Sequence, residues 1–253
     1  MRDLCVDVNA FVGHWPSHPV CGDVMEVVSS LRGLSIDRIF LSSLDAVWCR
    51  NPHYYNRWLL EVTRPLPEVL PTPVIDPSIP TWREELDVMS CDPRVKMVKL
   101  HPNYYPCDLS TLADCLDAAA EKPLAVLIQT RIEDPRRQHP LQQVADVPLS
   151  EIVNIARDHP RTTIIAGGPA WPAIVAEKDR ILAVPNVFID LSQCDGLNQV
   201  LRLCEMGLVD RLLFGSHAPL FIPFSAIARI VTDLDDETAA RILGRNATRI
   251  LAL

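Results

Sequence analysis

Residues 95–130 read VKMVKLHPNYYPCDLSTLADCLDAAAEKPLAVLIQT, and this stretch decides the fold. It opens on a short apolar run, VKMVKLHP (95–102), and closes on a second, LAVLIQT (124–130), with an amphipathic segment, LADCLDAAAEK, between them. Two nearly all-apolar, β-branched strands joined by a helix are the pattern of a parallel βαβ unit whose strands are buried on both faces. The same alternation runs outward in both directions. Further strands are expected at 4–11, 38–44, 70–76, 162–168, 186–192 and 211–216. Helical patterns such as VMEVVSSLRGL, YYNRWLLEV, LSEIVNIARDHP and LNQVLRLCEMGL separate them. Eight units in 253 residues match the size of a (β/α)8 barrel. A doubly wound open sheet is the alternative, but no G-x-G-x-x-G follows the first strand. The expectation is one domain, residues 1–253: a TIM barrel, distortion allowed, with a C-terminal closing helix that Asp235 or Asp236 caps.

The totals agree. Hydrophobic residues make up 48% and charged residues 22%, as in ordinary globular domains. A net charge of −8 without a basic block argues against a nucleic-acid partner. No apolar run reaches membrane-spanning length, and the start, MRDLCVDVNA, has no export signal. Eight cysteines without a C-x-x-C pair suit reduced thiols in a cytoplasmic protein.

In a βα barrel the chemistry sits where the strands end at their C-terminal side. Those ends present Asp7, Asn9, His14 and Trp15 from the first unit, and Lys99 and His101 from the fourth. Gln129, Arg131, Glu133, Asp134, Arg136 and His139 follow from the fifth unit, Asp190 and Ser192 from the seventh, and Ser216 and His217 from the eighth. Lys99 points into the barrel if Met97 does, because side chains alternate along a strand. A lysine there needs a carboxylate such as Asp7 or Asp190, or a substrate anion.

The order of DVNAFVGHW, VKLHPNYY, NVFIDLS, DRLLFGSHAP and LDDETAARILGRNATRIL resembles the amidohydrolase superfamily. The nearest branch is the amidohydrolase-2 group, which includes aminocarboxymuconate-semialdehyde decarboxylase. Typical members begin D-x-H-x-H and end strand 8 in G-S-D. They hold zinc or another divalent ion through two strand 1 histidines, a strand 5 histidine or lysine, a strand 6 histidine and the strand 8 aspartate. By this resemblance those positions fall on Asn9, Phe11, Gln129, Gly167 and His217. Amide oxygens, a phenyl ring and a glycine are poor company for zinc. The expectation is therefore no metal and no other cofactor, with a divalent ion such as zinc as the alternative.

Three functions follow. The first is a hydrolase or lyase without the usual metal centre, acting on a small, anionic organic acid, lactone or amide. Lys99, His101, His217, Glu133 and His139 would do its chemistry, and Asn9, His14, Trp15, Gln129, Arg131, Arg136 and Asp190 would bind its substrate. The second is an inactive relative kept for ligand binding or assembly, which a mouth plugged by Trp15 and Phe11 would favour. The third is a metal enzyme with ligands relocated to Asp7, His14, His101, His217 or Asp190. Exposed Phe221 and Ile222 permit self-association.

Overall fold

The computed structural model describes residues 3–17, 19–105, 107 and 109–253. Eight parallel strands follow one another: β1 (Val6–Val12), β2 (Arg38–Ser43), β3 (Val69–Pro71), β4 (Met97–Leu100), β5 (Ala125–Gln129), β6 (Ile164–Gly167), β7 (Val187–Asp190) and β8 (Leu212–Leu213). Each expected run contributes one of them. Ladder hydrogen bonds link β1-β2-β3 and, separately, β4 through β8. Two seams close the ring. At one, Lys99 N donates to Pro73 O (2.8 Å) and Ile75 N to Lys99 O (3.0 Å). At the other, Val8 N donates to Phe214 O (3.0 Å) and His217 N to Asn9 O (2.8 Å). The open sheet is thereby ruled out, and the protein is a single-domain TIM barrel.

Alternation along the strands builds two cores. Val98, Val126, Ile128, Ile164, Ala166, Val187 and Ile189 face outward and pack under the helices. Val6, Val8, Phe40, Met97, Leu127, Ile165, Phe188 and Leu213 fill the inside of the ring. Two residues further along, β4, β5 and β7 turn polar on this inner face, while β6 and the segment after β8 present glycine. Met97 is followed by Lys99, Leu127 by Gln129, Ile165 by Gly167, Phe188 by Asp190 and Leu213 by Gly215. The candidate site is thus the last interior layer of the barrel, just above its apolar floor.

Strand β1 departs from ideal pairing. Its register against β2 shifts between Asp7 and Ala10, a bulge of the kind that re-aims side chains beside functional sites. The shift lets Asn9 turn to the barrel centre. At the other end of the barrel the chain closes with a helix capped by Asp235, whose carboxylate accepts from Thr238 N. The single closing helix read from sequence is interrupted. Residues Asp236–Ala240 and Asn246–Leu251 are α-helical, and Arg241–Arg245 between them forms a π-helical turn. A Cβ at Gly244 would lie 1.6 Å from Leu4 O, so only glycine lets this turn press against the start of the chain. Among the described residues no helix is long and apolar enough to cross a membrane.

Candidate active site

Asn9 is the hub of the polar layer. Its Oδ1 accepts from Lys99 Nζ at 2.9 Å, and its Nδ2 donates to Asp190 Oδ2 at 2.6 Å and to Gln129 Oε1 at 3.2 Å. Asp190 is held from its own strand end, where Ser192 donates through N (2.8 Å) and Oγ (2.7 Å). Gln129 donates in turn to the carbonyls of Arg131 (2.8 Å) and Gly167 (3.1 Å). Asp7 Oδ1 accepts from Asn9 N (3.0 Å) and Ser216 N (2.9 Å), stitching β1 to the segment after β8. All these side chains are buried.

Burial sets their protonation. Lys99 Nζ sits 3.8 Å from the centre of the Phe11 ring. Desolvation draws its pKa down to about 7, and the negative charges of Asp190 and Asp7 only partly oppose this. Asp7 is pushed up to about 6 by the same loss of water, against the bonds from Ser216 and Asn9. Asp190 is also raised by burial. His217 is pulled down to about 3 and His101 well below its usual range, so both imidazoles are neutral at physiological pH. His217 takes φ +55°, a left-handed conformation that non-glycine residues adopt at a cost of about 1–3 kcal/mol. That turn places its ring between Phe11 and Phe221, each 5.0 Å away, with Nε2 2.8 Å from Ile132 O. Four buried polar atoms here have no hydrogen-bond partner among the described residues: Asp7 Oδ2, His101 Nδ1 and Nε2, and His217 Nδ1.

The layer is roofed. Phe11, Trp15, Leu44, Val47, Ile132 and Leu220 form an apolar cluster above it, with Trp48 and Tyr104 against its edge. The Trp15 ring lies 5.2 Å from Trp48 and 6.1 Å from Tyr104. Ser17 Oγ reaches across to both carboxylate oxygens of Glu133 (2.9 and 2.8 Å), tying the loop after β1 to the loop after β5. Between these loops a void of about 10 Å3 remains, lined in part by Trp15, Tyr104, Glu133 and His139. A groove of about 740 Å3 lies elsewhere, between the loop after β1 and the helices Val24–Gly33 and His53–Val62.

The structure therefore brings Asn9, Lys99, Gln129, Asp190, His101 and His217 into one buried layer and sets Trp15 and Glu133 above it. Arg131 stands at the roof's edge, its Nε donating to Gln193 Oε1 (2.6 Å) and its guanidinium 3.6 Å from Asp146. His139 is exposed, and its Nδ1 accepts from Leu141 N within a local turn. Arg136 is exposed and pairs with Asp134 two residues away (2.6 Å). His14 faces outward into the large groove beside Asp45 (3.2 Å). Ser17 and Gln193 were not among the expected site residues. Nothing in their sequence neighbourhoods marks a cross-loop partner more than a hundred or sixty residues away, respectively.

A closed ring of eight βα units with a buried ionisable layer at its strand ends is the TIM-barrel architecture. The chain belongs to the amidohydrolase family, whose model matches residues 39–253. Solved structures share the fold. One is 5-carboxyvanillate decarboxylase from Sphingomonas paucimobilis, 13% identical, with 100% of each chain covered and a TM-score of 0.74. Another is a dihydroxybenzoic acid decarboxylase from a Polaromonas species with bound manganese and an inhibitor, 14% identical, covering 100% of this chain and 98% of that one (TM-score 0.74). A third is a probable 2-pyrone-4,6-dicarboxylic acid hydrolase from Acinetobacter baumannii with citric acid bound, 14% identical, covering 98% and 99% (TM-score 0.70). No curated protein matches the chain.

The manganese in the Polaromonas structure corrects the expectation of no cofactor. A full-length structural relative holds a divalent metal, so a metal-free protein no longer follows from the resemblance. The residues present here nonetheless do not make a shell for such an ion. Lys99 brings its own positive charge into the layer, and the amide oxygens of Asn9 and Gln129 are already engaged by Lys99 and Asn9. Phe11 and Gly167 offer no side-chain donor atom. Among the described residues no three of His, Cys, Asp or Glu are grouped so as to hold a metal.

Proposed function

We propose that this protein is an enzyme that acts on a small organic acid, by decarboxylation or hydrolysis, at the roofed polar layer of the barrel. The observation that carries this reading is the set of unpartnered atoms on Asp7, His101 and His217. Each buried polar group left without a partner costs about 1–3 kcal/mol, and packing alone supplies no reason to keep several in one layer. A ligand with carboxylate and hydroxyl or carbonyl oxygens supplies the missing partners. Lys99 then provides the cation for the acid group, held by Asn9, which Asp190 and Gln129 fix in turn. His101 and His217, neutral before substrate enters, accept and return protons. Trp15, Glu133, Arg131 and His139 belong to the roof, which must part to admit substrate and which excludes water when closed. His14 and Arg136 reach the substrate only if the roof rearranges. The acids and pyrone named for the structural relatives support the same class of substrate.

The roof also favours a second reading, an inactive relative that binds a ligand or partner, because Phe11 and Trp15 fill the mouth. One experiment separates the two. The purified protein is incubated with a panel of small aromatic and aliphatic carboxylates and one lactone, and carbon dioxide release and acid formation are followed. Turnover that disappears in Lys99→Ala, His101→Ala and His217→Ala supports the enzyme. Carboxylate binding without turnover supports the second reading, and turnover unchanged in all three variants removes this layer from the chemistry.

A further inference from the structure

We infer that Lys99 is a covalent catalyst, its amine condensing with the carbonyl carbon of a small oxo acid to form an imine. This deepens the proposed function and rests on it, since the polar layer must be the substrate site. Lys99 Nζ has three donor positions, but its one hydrogen-bond partner among the described residues is Asn9 Oδ1 at 2.9 Å. A buried lysine that serves structure is normally matched by a carboxylate in direct contact. Here both nearby carboxylates stand back. Asp190 reaches Lys99 only through Asn9, and Asp7 is bound to backbone N–H groups. An amide oxygen accepts from an ammonium or from a neutral amine alike, so Asn9 holds the nitrogen in place through loss of its proton. The Phe11 ring at 3.8 Å keeps water from one side. Burial that draws the pKa to about 7 leaves the nucleophilic form well populated at neutral pH. His101, whose two ring nitrogens lack partners, lies within electrostatic reach of Lys99.

The step balances within these groups. The ammonium gives its proton to His101, and the amine lone pair forms a C–N bond to the carbonyl carbon while the C=O π pair moves to oxygen. A proton passes from nitrogen to that oxygen. The proton held by His101 then follows it, and the C–O bond breaks to release water. Ammonium plus carbonyl has become iminium plus water, with no outside proton. In a 3-oxo acid the iminium next draws in the electron pair of the bond to the carboxylate. Carbon dioxide leaves, an enamine remains, and protonation at carbon followed by addition of water returns the product and Lys99.

The test is trapping on the full chain. The protein is incubated with acetoacetate and cyanoborohydride, digested, and its four lysines (Lys96, Lys99, Lys122 and Lys178) are mapped by mass spectrometry. The expected result is a gain at Lys99, ahead of the other three, of one probe molecule less one oxygen atom, or of that adduct less carbon dioxide where decarboxylation precedes reduction, and no such labelling at that position in Lys99→Arg. Labelling confined to the other lysines overturns the inference. So does an unlabelled Lys99 in a wild-type protein whose melting temperature acetoacetate raises through Lys99, a result that leaves the proposed function standing. If acetoacetate and the wider carboxylate panel neither label nor stabilise the protein, both readings fail.

Discussion

Replacing Lys99 with methionine should remove a specific pH dependence of stability. In the unfolded chain the amine keeps its proton up to 10.5, whereas in the folded barrel it releases it at about 7. Between those values the unfolded state binds one more proton, so stability contributed by this group rises with pH. That contribution is complete above 10.5 and is lost as pH falls through about 7. At about 1.4 kcal/mol per pH unit the window amounts to at most about 5 kcal/mol. Methionine has a similar length, lies against Phe11 without a charge, and does not titrate. Urea unfolding of both proteins between about pH 7 and 10 isolates the effect, because every other titrating group is common to the two. The wild type should gain about 3–4 kcal/mol on Lys99→Met across that range, while Lys99→Arg, always charged, should gain nothing. Asp7 does not confuse the result. Its pKa is raised from 3.8 to about 6, so the stability it contributes is present below 3.8 and lost as pH rises through about 6, outside the window. A difference that stays flat within about 0.5 kcal/mol would refute the claim that this lysine is desolvated in the fold, and the neutral amine would go with it.

Three further outcomes follow from the same geometry. Asn9→Ala removes the acceptor for Lys99, leaving that nitrogen buried without a hydrogen-bond partner among the described residues, and strips one donor from Asp190, which keeps those of Ser192; it should cost about 3–5 kcal/mol in urea unfolding. Gly215→Ala places a Cβ 2.1 Å from Asp190 Oδ1 and should lower stability by about 1–3 kcal/mol, read as a drop in melting temperature. Ser17→Ala cuts a tie between the two roof loops at the barrel rim. It should change stability by under about 1 kcal/mol while speeding protease cleavage within residues 131–148, and an unchanged cleavage rate would show that the tie does not hold the roof.

Much of the site's location is legible in the order of the residues. The inward aim of Lys99 follows from Met97 two residues earlier, and Gln129 and Asp190 follow Leu127 and Phe188 by the same rule. The loop after β5 misleads in part. Its arginines and acids suggest an anion clamp, but Arg136 closes on Asp134 within its own turn, because a partner two residues away is reached at less entropic cost than one across the mouth. His14 is drawn outward for a backbone reason. Gly13 takes φ +98° with Asp45 packed where a Cβ would be, and the chain leaves the barrel axis there.

The sequence alone determined which residues alternate into the barrel and that eight such strands recur, because periodicity of two is a property of neighbouring residues. It also carried the resemblance of strand ends and closing helix to one enzyme family. Only the tertiary structure decided that Asn9, Lys99, Gln129 and Asp190 bond to one another, over separations of 90 to 181 residues. The bulge in β1 and the seams at β3–β4 and β8–β1 set that meeting. Ring closure removes the layer from water, and that loss of hydration is what moves the amine of Lys99 toward neutrality.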